Sequence, residues 1–137
     1  MMDRPVLVVE DNSGDLELLQ VALDFCNTRQ PVVSVDDGQK ALDYMTRTGE
    51  YASCTHKEPD LILLDIKMPR GTGLEVLEVI KADPRLRRIP VIALTSSRED
   101  SDIARAYVLG INGYVVKVPI TANFAAILPR SARGGAI

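Results

Sequence analysis

Five short apolar runs recur along the chain, and their length favours strands. They cover residues 5–9, 31–35, 61–64, 91–94 and 114–116. Runs that are apolar throughout over four or five residues are typical of parallel strands covered on both faces. Between and after them, apolar residues recur at helical spacing over residues 16–26, 38–45, 73–82, 100–109 and 121–128. The alternation predicts an α/β fold with a parallel sheet between two layers of helices.

Right-handed crossovers leave few ways to connect such units. They favour a doubly wound, flavodoxin-like sheet of five parallel strands in the order 2-1-3-4-5. At 137 residues the chain has the size of one domain. We expect this domain to span residues 1–128 and residues 129–137 to form a disordered tail. Ser13 or Asp15 is expected to cap the first helix, and residues 46–59 to form a polar connection.

Charge and hydropathy exclude several classes of function. The chain has 16 basic and 19 acidic residues, so its net charge of -3 offers no electrostatic case for binding nucleic acid. No apolar run reaches the length of about 18 residues that a membrane-spanning helix needs, and the N-terminus lacks a signal-peptide pattern. Cys26, Cys54 and His56 lack metal-ligand spacing. We therefore expect a cytoplasmic protein that binds neither nucleic acid nor membrane.

Polar side chains follow four of the five predicted strands. Glu10 and Asp11 come after the first strand, Asp65 after the third, Thr95 after the fourth and Lys117 after the fifth. In open parallel sheets the ligand site lies beyond the carboxyl ends of the strands, where the strand order reverses. That reversal falls between the first and third strands, so we expect Asp11 and Asp65 to meet.

These residue types form a chemically coherent set. Several carboxylates in one crevice suit a hard divalent cation, and Mg²⁺ typically takes one or two carboxylates together with water and phosphate oxygens. Carboxylates are also nucleophiles toward phosphorus. The Lys117 ammonium and the Thr95 hydroxyl are suitable donors to phosphoryl oxygens. Each residue alone has an ordinary explanation as a cap or turn, and only their joint occurrence predicts a phosphoryl site.

The stretches that carry these residues resemble the receiver domains of response regulators in two-component signalling. They read VVEDN, PDLILLDIKMPRGTGLEVL, IPVIALTSS and ARAYVLGINGYVVK, and the resemblance covers about residues 6–128. It implies that Asp65 is the phosphoacceptor and that Mg²⁺, or Mn²⁺ as a second candidate, is the cofactor. It also implies the following roles: Asp11, Asp65 and the backbone carbonyl of Lys67 as metal ligands, Glu10 in the acidic pocket, Thr95 as switch hydroxyl, Tyr114 as switch aromatic, and Lys117 as phosphate-binding lysine.

A narrower resemblance concerns the partner. The long connection 49–60 and the phrase IKADPRLRRIPVIALTSS are similar to the small receivers that serve bacterial and cyanobacterial phytochrome kinases. This implies a sensor histidine kinase of the phytochrome type as phosphodonor and an unidentified protein as output partner. On this interpretation the chain is a stand-alone phosphorylation switch. It would catalyse only its own phosphorylation and dephosphorylation and would signal through its fourth helix, fifth strand and fifth helix.

Two other functions stay open at this point. One is a metal-dependent phosphohydrolase that works through an aspartyl-phosphate, and the other is a module that binds partners without being phosphorylated. Such phosphohydrolases place a second acid two residues after the nucleophile, where this chain has Lys67. The complete set of Asp11, Asp65, Thr95 and Lys117 disfavours a module that only binds.

The C-terminal part departs from the family pattern. Receivers usually have Pro directly after the lysine, whereas here Val118 separates Lys117 from Pro119, so the geometry of the bond after Lys117 stays open. The last predicted helix is short, because Pro129 ends it. A short helix covers less apolar surface on the fourth-helix and fifth-strand face. We therefore expect a homodimer through that face.

Overall fold

The computed structural model describes residues 4–25, 30–54, 57–68, 73–96 and 101–117. Within these ranges the strands are β1 (Val6–Val9), β2 (Val32–Val35), β3 (Leu61–Asp65), β4 (Val91–Thr95) and β5 (Gly113–Val116). The α-helices there are α1 (Ser13–Phe25), α2 (Gly38–Thr46), α3 (Gly73–Ala82) and α4 (Asp102–Leu109). None of the described helices is long and apolar enough to cross a membrane.

The sheet has the predicted topology. All four neighbouring strand pairs are parallel, and the strand order is β2-β1-β3-β4-β5. The flavodoxin-like α/β prediction is therefore confirmed. The predicted fifth helix, the C-terminal tail, the domain boundary at residue 128 and the bond after Lys117 lie outside the described residues.

The sheet buries apolar side chains on both faces, which explains its uninterrupted apolar strands. In β1, Leu7 and Val9 join a core cluster that packs against α2, α3 and α4, and we call this the first core. Val6 and Val8 point the other way and join a second cluster with Leu19, Ala22 and Leu23 of α1. Successive side chains of a strand alternate between faces, so a strand that is covered on both sides is apolar at every position.

One turn was missing from the sequence prediction. The connection after α2, predicted as a polar link, contains a 3₁₀ turn over Gly49–Tyr51. Tyr51 stacks edge to face on Tyr44 of α2, with ring centroids 5.3 Å apart. This contact contributes to ordering the turn, and it depends on packing rather than on a local pattern.

Helix α3 begins directly behind the end of β3. Gly73 is buried, and a Cβ atom built there would overlap the backbone carbonyl oxygen of Asp65 and lie 2.5 Å from the Cα atom of Ile66. Only a residue without a side chain permits this approach of backbone to backbone. Gly73 therefore supports the strand end that carries Asp65.

We expect Gly73→Ala to lower the free energy of unfolding by about 1–3 kcal/mol, because the added methyl group forces the backbone of β3 and α3 apart. Gly113→Ala is the matched control. Among the described residues, a Cβ at position 113 meets only the Cδ1 atom of Ile92, at an ordinary contact distance of 3.5 Å. Urea denaturation of both variants measures the difference, and equal stability of the two would contradict the packing argument.

Candidate functional site

The carboxyl ends of the strands bring the predicted polar residues to one edge of the sheet. Glu10 follows β1, Asp65 ends β3, Thr95 ends β4, and Lys117 follows β5. Glu10, Asp65 and Thr95 are buried, whereas Asp11 is exposed at the rim. The structure thus brings together the residues that the sequence predicted to meet.

Three carboxylates form what we call the acidic pocket: Glu10, Asp11 and Asp65. One oxygen from each side chain can be chosen so that all three lie within 4.8 Å of one another. Like charges at such distances repel each other, which a bound cation would offset. Hard oxygen donors of this kind fit Mg²⁺ or Mn²⁺. The side chains present therefore suit the predicted metal.

Lys67 lies at the edge of this pocket. Its side chain is exposed, and its Nζ atom is 4.0 Å from Oδ2 of Asp102. Together with Asp11 and Asp102 it lines an open cleft of about 680 Å³ beside the acidic pocket. This position is compatible with the predicted role of its backbone carbonyl, which stays a prediction.

The Lys117 ammonium lies among several carboxylates. Its Nζ atom is 2.9 Å from Oδ2 of Asp65, 3.3 Å from Oδ2 of Asp15, and 3.0 and 3.3 Å from Oε1 and Oε2 of Glu10. The 3.0 Å approach to Oε1 is an ion pair without hydrogen-bond geometry, and this buried oxygen has no hydrogen-bond partner among the described residues. One ammonium therefore compensates more than one negative charge.

Asp65 is oriented through both of its carboxylate oxygens. The backbone N–H of Lys67 donates to Oδ1 at 2.9 Å, and Nζ of Lys117 donates to Oδ2 at 2.9 Å. Gly73 packs against the backbone behind it. Two hydrogen bonds therefore fix this carboxylate, and Gly73 supports the backbone that carries it, as a preorganised nucleophile requires.

Burial and charge shift two pKa values in the site. Burial, together with the neighbouring Asp65 carboxylate, raises the pKa of Glu10 from 4.5 to about 7, against the opposing effects of Lys117 and the Asn12 N–H. Burial alone would lower the pKa of Lys117, but its bonds to Asp65 and Glu10 outweigh that effect and raise it. Lys117 therefore stays charged, while Glu10 exchanges its proton near neutral pH.

Thr95 and Tyr114 lie in adjacent strands on the same face of the sheet. Thr95 continues the alternation of Val91 and Ala93, which both belong to the first core, and Tyr114 packs against that core. Ala93 is the register partner of Tyr114. Tyr114 is half-buried and meets Tyr107 of α4 edge to face, with centroids 6.4 Å apart. The two predicted switch residues therefore share one face of neighbouring strands, and their switch roles stay predictions.

Asp15 is a site residue that the sequence analysis did not predict. It was expected, with Ser13, as a candidate cap, and that prediction is wrong because Oδ1 of Asn12 accepts the N–H of Asp15 at 2.9 Å. The Asp15 carboxylate instead contacts Lys117. The available signal was its place in the first turn of the helix after β1, at the edge of the sheet where the other carboxylates lie.

Comparisons with known proteins point to one family. The sequence profile of the response regulator receiver domain matches residues 6–126. Response regulator Rcp1 of Synechocystis sp. is 38% identical over 114 residues, which cover 83% of this chain and 76% of that protein.

Solved structures with a similar fold include three response regulators, of which two are named as phytochrome response regulators. The bacteriophytochrome response regulator RtBRR superposes with a TM-score of 0.84 at 45% identity, covering 92% of this chain and 75% of that one. The phosphorylated cyanobacterial phytochrome response regulator RcpA superposes with a TM-score of 0.79 at 40% identity, covering 96% of this chain and 89% of that one. The Mn²⁺-bound form of Rcp1 superposes with a TM-score of 0.77 at 32% identity, covering 88% of this chain and 91% of that one.

The raised pKa of Glu10 predicts a pH dependence of stability. Between pH 4.5 and about pH 7 the folded protein retains a proton on Glu10 that the unfolded chain releases, so the stability contributed by this group is complete below pH 4.5 and is lost as the pH rises through 7. In metal-free buffer, the unfolding free energy of the wild type should fall over this window by roughly 2–3 kcal/mol relative to Glu10→Gln. Urea denaturation at a series of pH values measures the difference.

The matched control is Glu17→Gln, which removes an exposed carboxylate from α1. This variant should keep the pH slope of the wild type. Parallel stability curves for the wild type and Glu10→Gln would contradict the assignment of the titration to Glu10.

Proposed function

The chain belongs to the response regulator receiver domain family, and we propose that it accepts a phosphoryl group on Asp65 from a sensor histidine kinase in a Mg²⁺-dependent reaction. Members of this family are signalling phosphoacceptors rather than metabolic enzymes. The observation that carries the proposal is the 2.9 Å contact between Asp65 and Lys117 at the floor of the acidic pocket. A buried, oriented carboxylate beside an ammonium is suited to attack phosphorus and to hold the product.

In the proposed step, an Asp65 oxygen attacks the phosphorus of a phosphohistidine. The phosphorus–nitrogen bond breaks, and its electron pair stays on the imidazole nitrogen. The Lys117 ammonium transfers a hydrogen bond from Asp65 to a phosphoryl oxygen, and the Thr95 hydroxyl donates to another. Asp11, Asp65 and the Lys67 carbonyl, beside Glu10, would hold a divalent ion, which would neutralise part of the charge on the phosphoryl group. Hydrolysis of the aspartyl-phosphate in the same pocket belongs to the proposal.

The proposed readout begins at Thr95. A phosphoryl group brings about -1.5 to -2 charges and three strong acceptor oxygens, which would draw the Thr95 hydroxyl toward Asp65. Space is then left for Tyr114 to turn inward and to change its contact with Tyr107. The common face of Thr95 and Tyr114 supports this route from the pocket to the surface of α4 and β5.

Similarity to phytochrome response regulators supports a phytochrome-type histidine kinase as the donor. A cytoplasmic location and a downstream protein partner belong to the same proposal. The homodimer through α4, β5 and the fifth helix stays a prediction. It is supported by Tyr107 and Val108 of α4, which are 48% and 87% exposed, whereas the fifth helix lies outside the described residues.

The two alternatives have less support. A phosphohydrolase of the kind considered above requires an acid two residues after the nucleophile, and Lys67 in that position extends toward Asp102 instead. A module that only binds partners does not require the meeting of Glu10, Asp65 and Lys117, which buries charge at a cost in stability.

Incubation with Mg²⁺ and a small phosphodonor such as phosphoramidate should add one phosphoryl group per chain, as measured by intact mass. Asp65→Asn should abolish the addition, because the amide is not a nucleophile toward phosphorus, and a chelator should abolish it in the wild type. Asp60→Asn is the control, since it changes an exposed acid immediately before the same strand. Labelling of Asp65→Asn at the wild-type level would falsify the assignment.

Phosphotransfer profiling tests the partner. Among a panel of autophosphorylated sensor histidine kinases, those with phytochrome sensor domains should transfer to this chain at least about tenfold faster than the others, a difference of roughly 1.4 kcal/mol in activation free energy. Asp65→Asn should receive no phosphoryl group from any of them. Equal rates from phytochrome and non-phytochrome kinases would exclude the proposed pairing.

A further inference from the structure

Asp15 contacts the lysine of the site from outside the acidic pocket. We propose that Asp15 is a positioning residue, which holds the Lys117 ammonium between α1 and the buried carboxylates so that it is ready to receive a phosphoryl oxygen. This inference rests on the proposed phosphorylation of Asp65. It adds Asp15 of α1, which is not part of the acidic pocket, to the residues that influence the rate of phosphorylation.

The three acidic side chains around Lys117 differ in where they lie. The side chains of Glu10 and Asp65 are 0% and 3% exposed, whereas that of Asp15 is 24% exposed. Asp15 therefore attracts the ammonium toward the more open side of the pocket. A lysine ammonium has three N–H donors, and three carboxylates lie within 3.3 Å of this one.

The position of Asp15 is itself held by the pocket. Oδ1 of Asn12 accepts the N–H of Asp15 at 2.9 Å, and the N–H of Asn12 donates to Oε2 of Glu10 at 3.1 Å. The first turn of α1 is thus tied to one of the two carboxylates that Lys117 contacts inside the pocket. An acceptor held in this way can restrict a long and otherwise flexible side chain.

Phosphoryl transfer requires the ammonium to leave Oδ2 of Asp65 and to bind an oxygen of the arriving phosphoryl group. With Asp15 present, the ammonium is already shared with an acceptor outside the pocket. Without that charge, Lys117 is left with Glu10 and Asp65, and it binds the nucleophile more tightly while contacting the arriving group less often. Transfer to Asp65 should therefore slow, although Asp65 and the acidic pocket are unchanged.

The test compares the rate of phosphorylation by phosphoramidate at saturating Mg²⁺ in the wild type, Asp15→Asn and Glu17→Gln. We expect Asp15→Asn to react about 5–20 times more slowly, since small errors in placing a catalytic group are costly. Glu17→Gln removes an equal charge from an exposed position of the same helix and should react at the wild-type rate. Asp15→Glu keeps the charge and should lose less than about threefold.

Two further measurements separate positioning from a general structural effect. The first is a double-mutant cycle, which isolates the coupling between two side chains. In a Lys117→Ala background, Asp15→Asn should have no additional effect on the rate, because the side chain through which Asp15 acts is missing. In the unphosphorylated protein, the Lys117 ammonium should give a slowly exchanging nitrogen NMR signal that Asp15→Asn broadens and Glu17→Gln does not.

The outcomes distinguish this inference from the proposed function. If the wild type takes up no phosphoryl group, the proposed function fails, and the inference, which rests on it, fails as well. If the wild type is phosphorylated and Asp15→Asn reacts equally fast, the inference alone is overturned. An undiminished effect of Asp15→Asn in the Lys117→Ala background would also overturn it, since Asp15 would then act independently of the lysine.

Discussion

The ion pairs of Lys117 are the interaction on which the site depends. Glu10 and Asp65 are buried at the carboxyl edge of the sheet, and a buried charge without a partner costs several kcal/mol. The Lys117 ammonium contacts both of them and Asp15. Glu10 follows β1, Asp15 lies in the first turn of α1, and Asp65 ends β3. By contacting all three, the lysine after β5 connects parts of the chain that are far apart in sequence.

The Lys117 ammonium compensates the negative charge of the site only in part, so the site is sensitive to any further charge that binds there. One ammonium faces several carboxylates, one oxygen of Glu10 has no hydrogen-bond partner among the described residues, and the pKa of Glu10 is raised to about 7. A proton, a divalent cation or a phosphoryl group would each change this balance of charge. Such a cluster reduces stability, and natural proteins retain features of this kind mainly at functional sites.

The fold connects this edge of the sheet to two helices. Asp65 and Thr95 end neighbouring strands, and Thr95 shares a sheet face with Tyr114, whose ring contacts Tyr107 of α4. Gly73 lets α3 pack directly behind Asp65. Two helices therefore lie close to the proposed phosphoacceptor: α3 packs behind Asp65, and α4 contacts Tyr114 through Tyr107.

The sequence by itself determined the architecture and most of the site. Strands covered on both faces must be apolar throughout, so their positions could be predicted, and crossover handedness then left few strand orders. Since parallel strands end at a common edge, Glu10, Asp11, Asp65, Thr95 and Lys117 could be placed together before any coordinates were known. The individual roles of these five residues, like those of Lys67 and Tyr114, came from family resemblance and stay predictions.

Only the tertiary structure decided the contacts between side chains of different elements. Asn12 rather than Ser13 or Asp15 caps α1, Asp15 turns toward Lys117, and the 3₁₀ turn packs through Tyr51. Each depends on the direction of a side chain and on the close approach of residues that are distant in sequence. Periodicity reports which face of an element is buried, but it carries no information about which atom lies opposite across the packed interface.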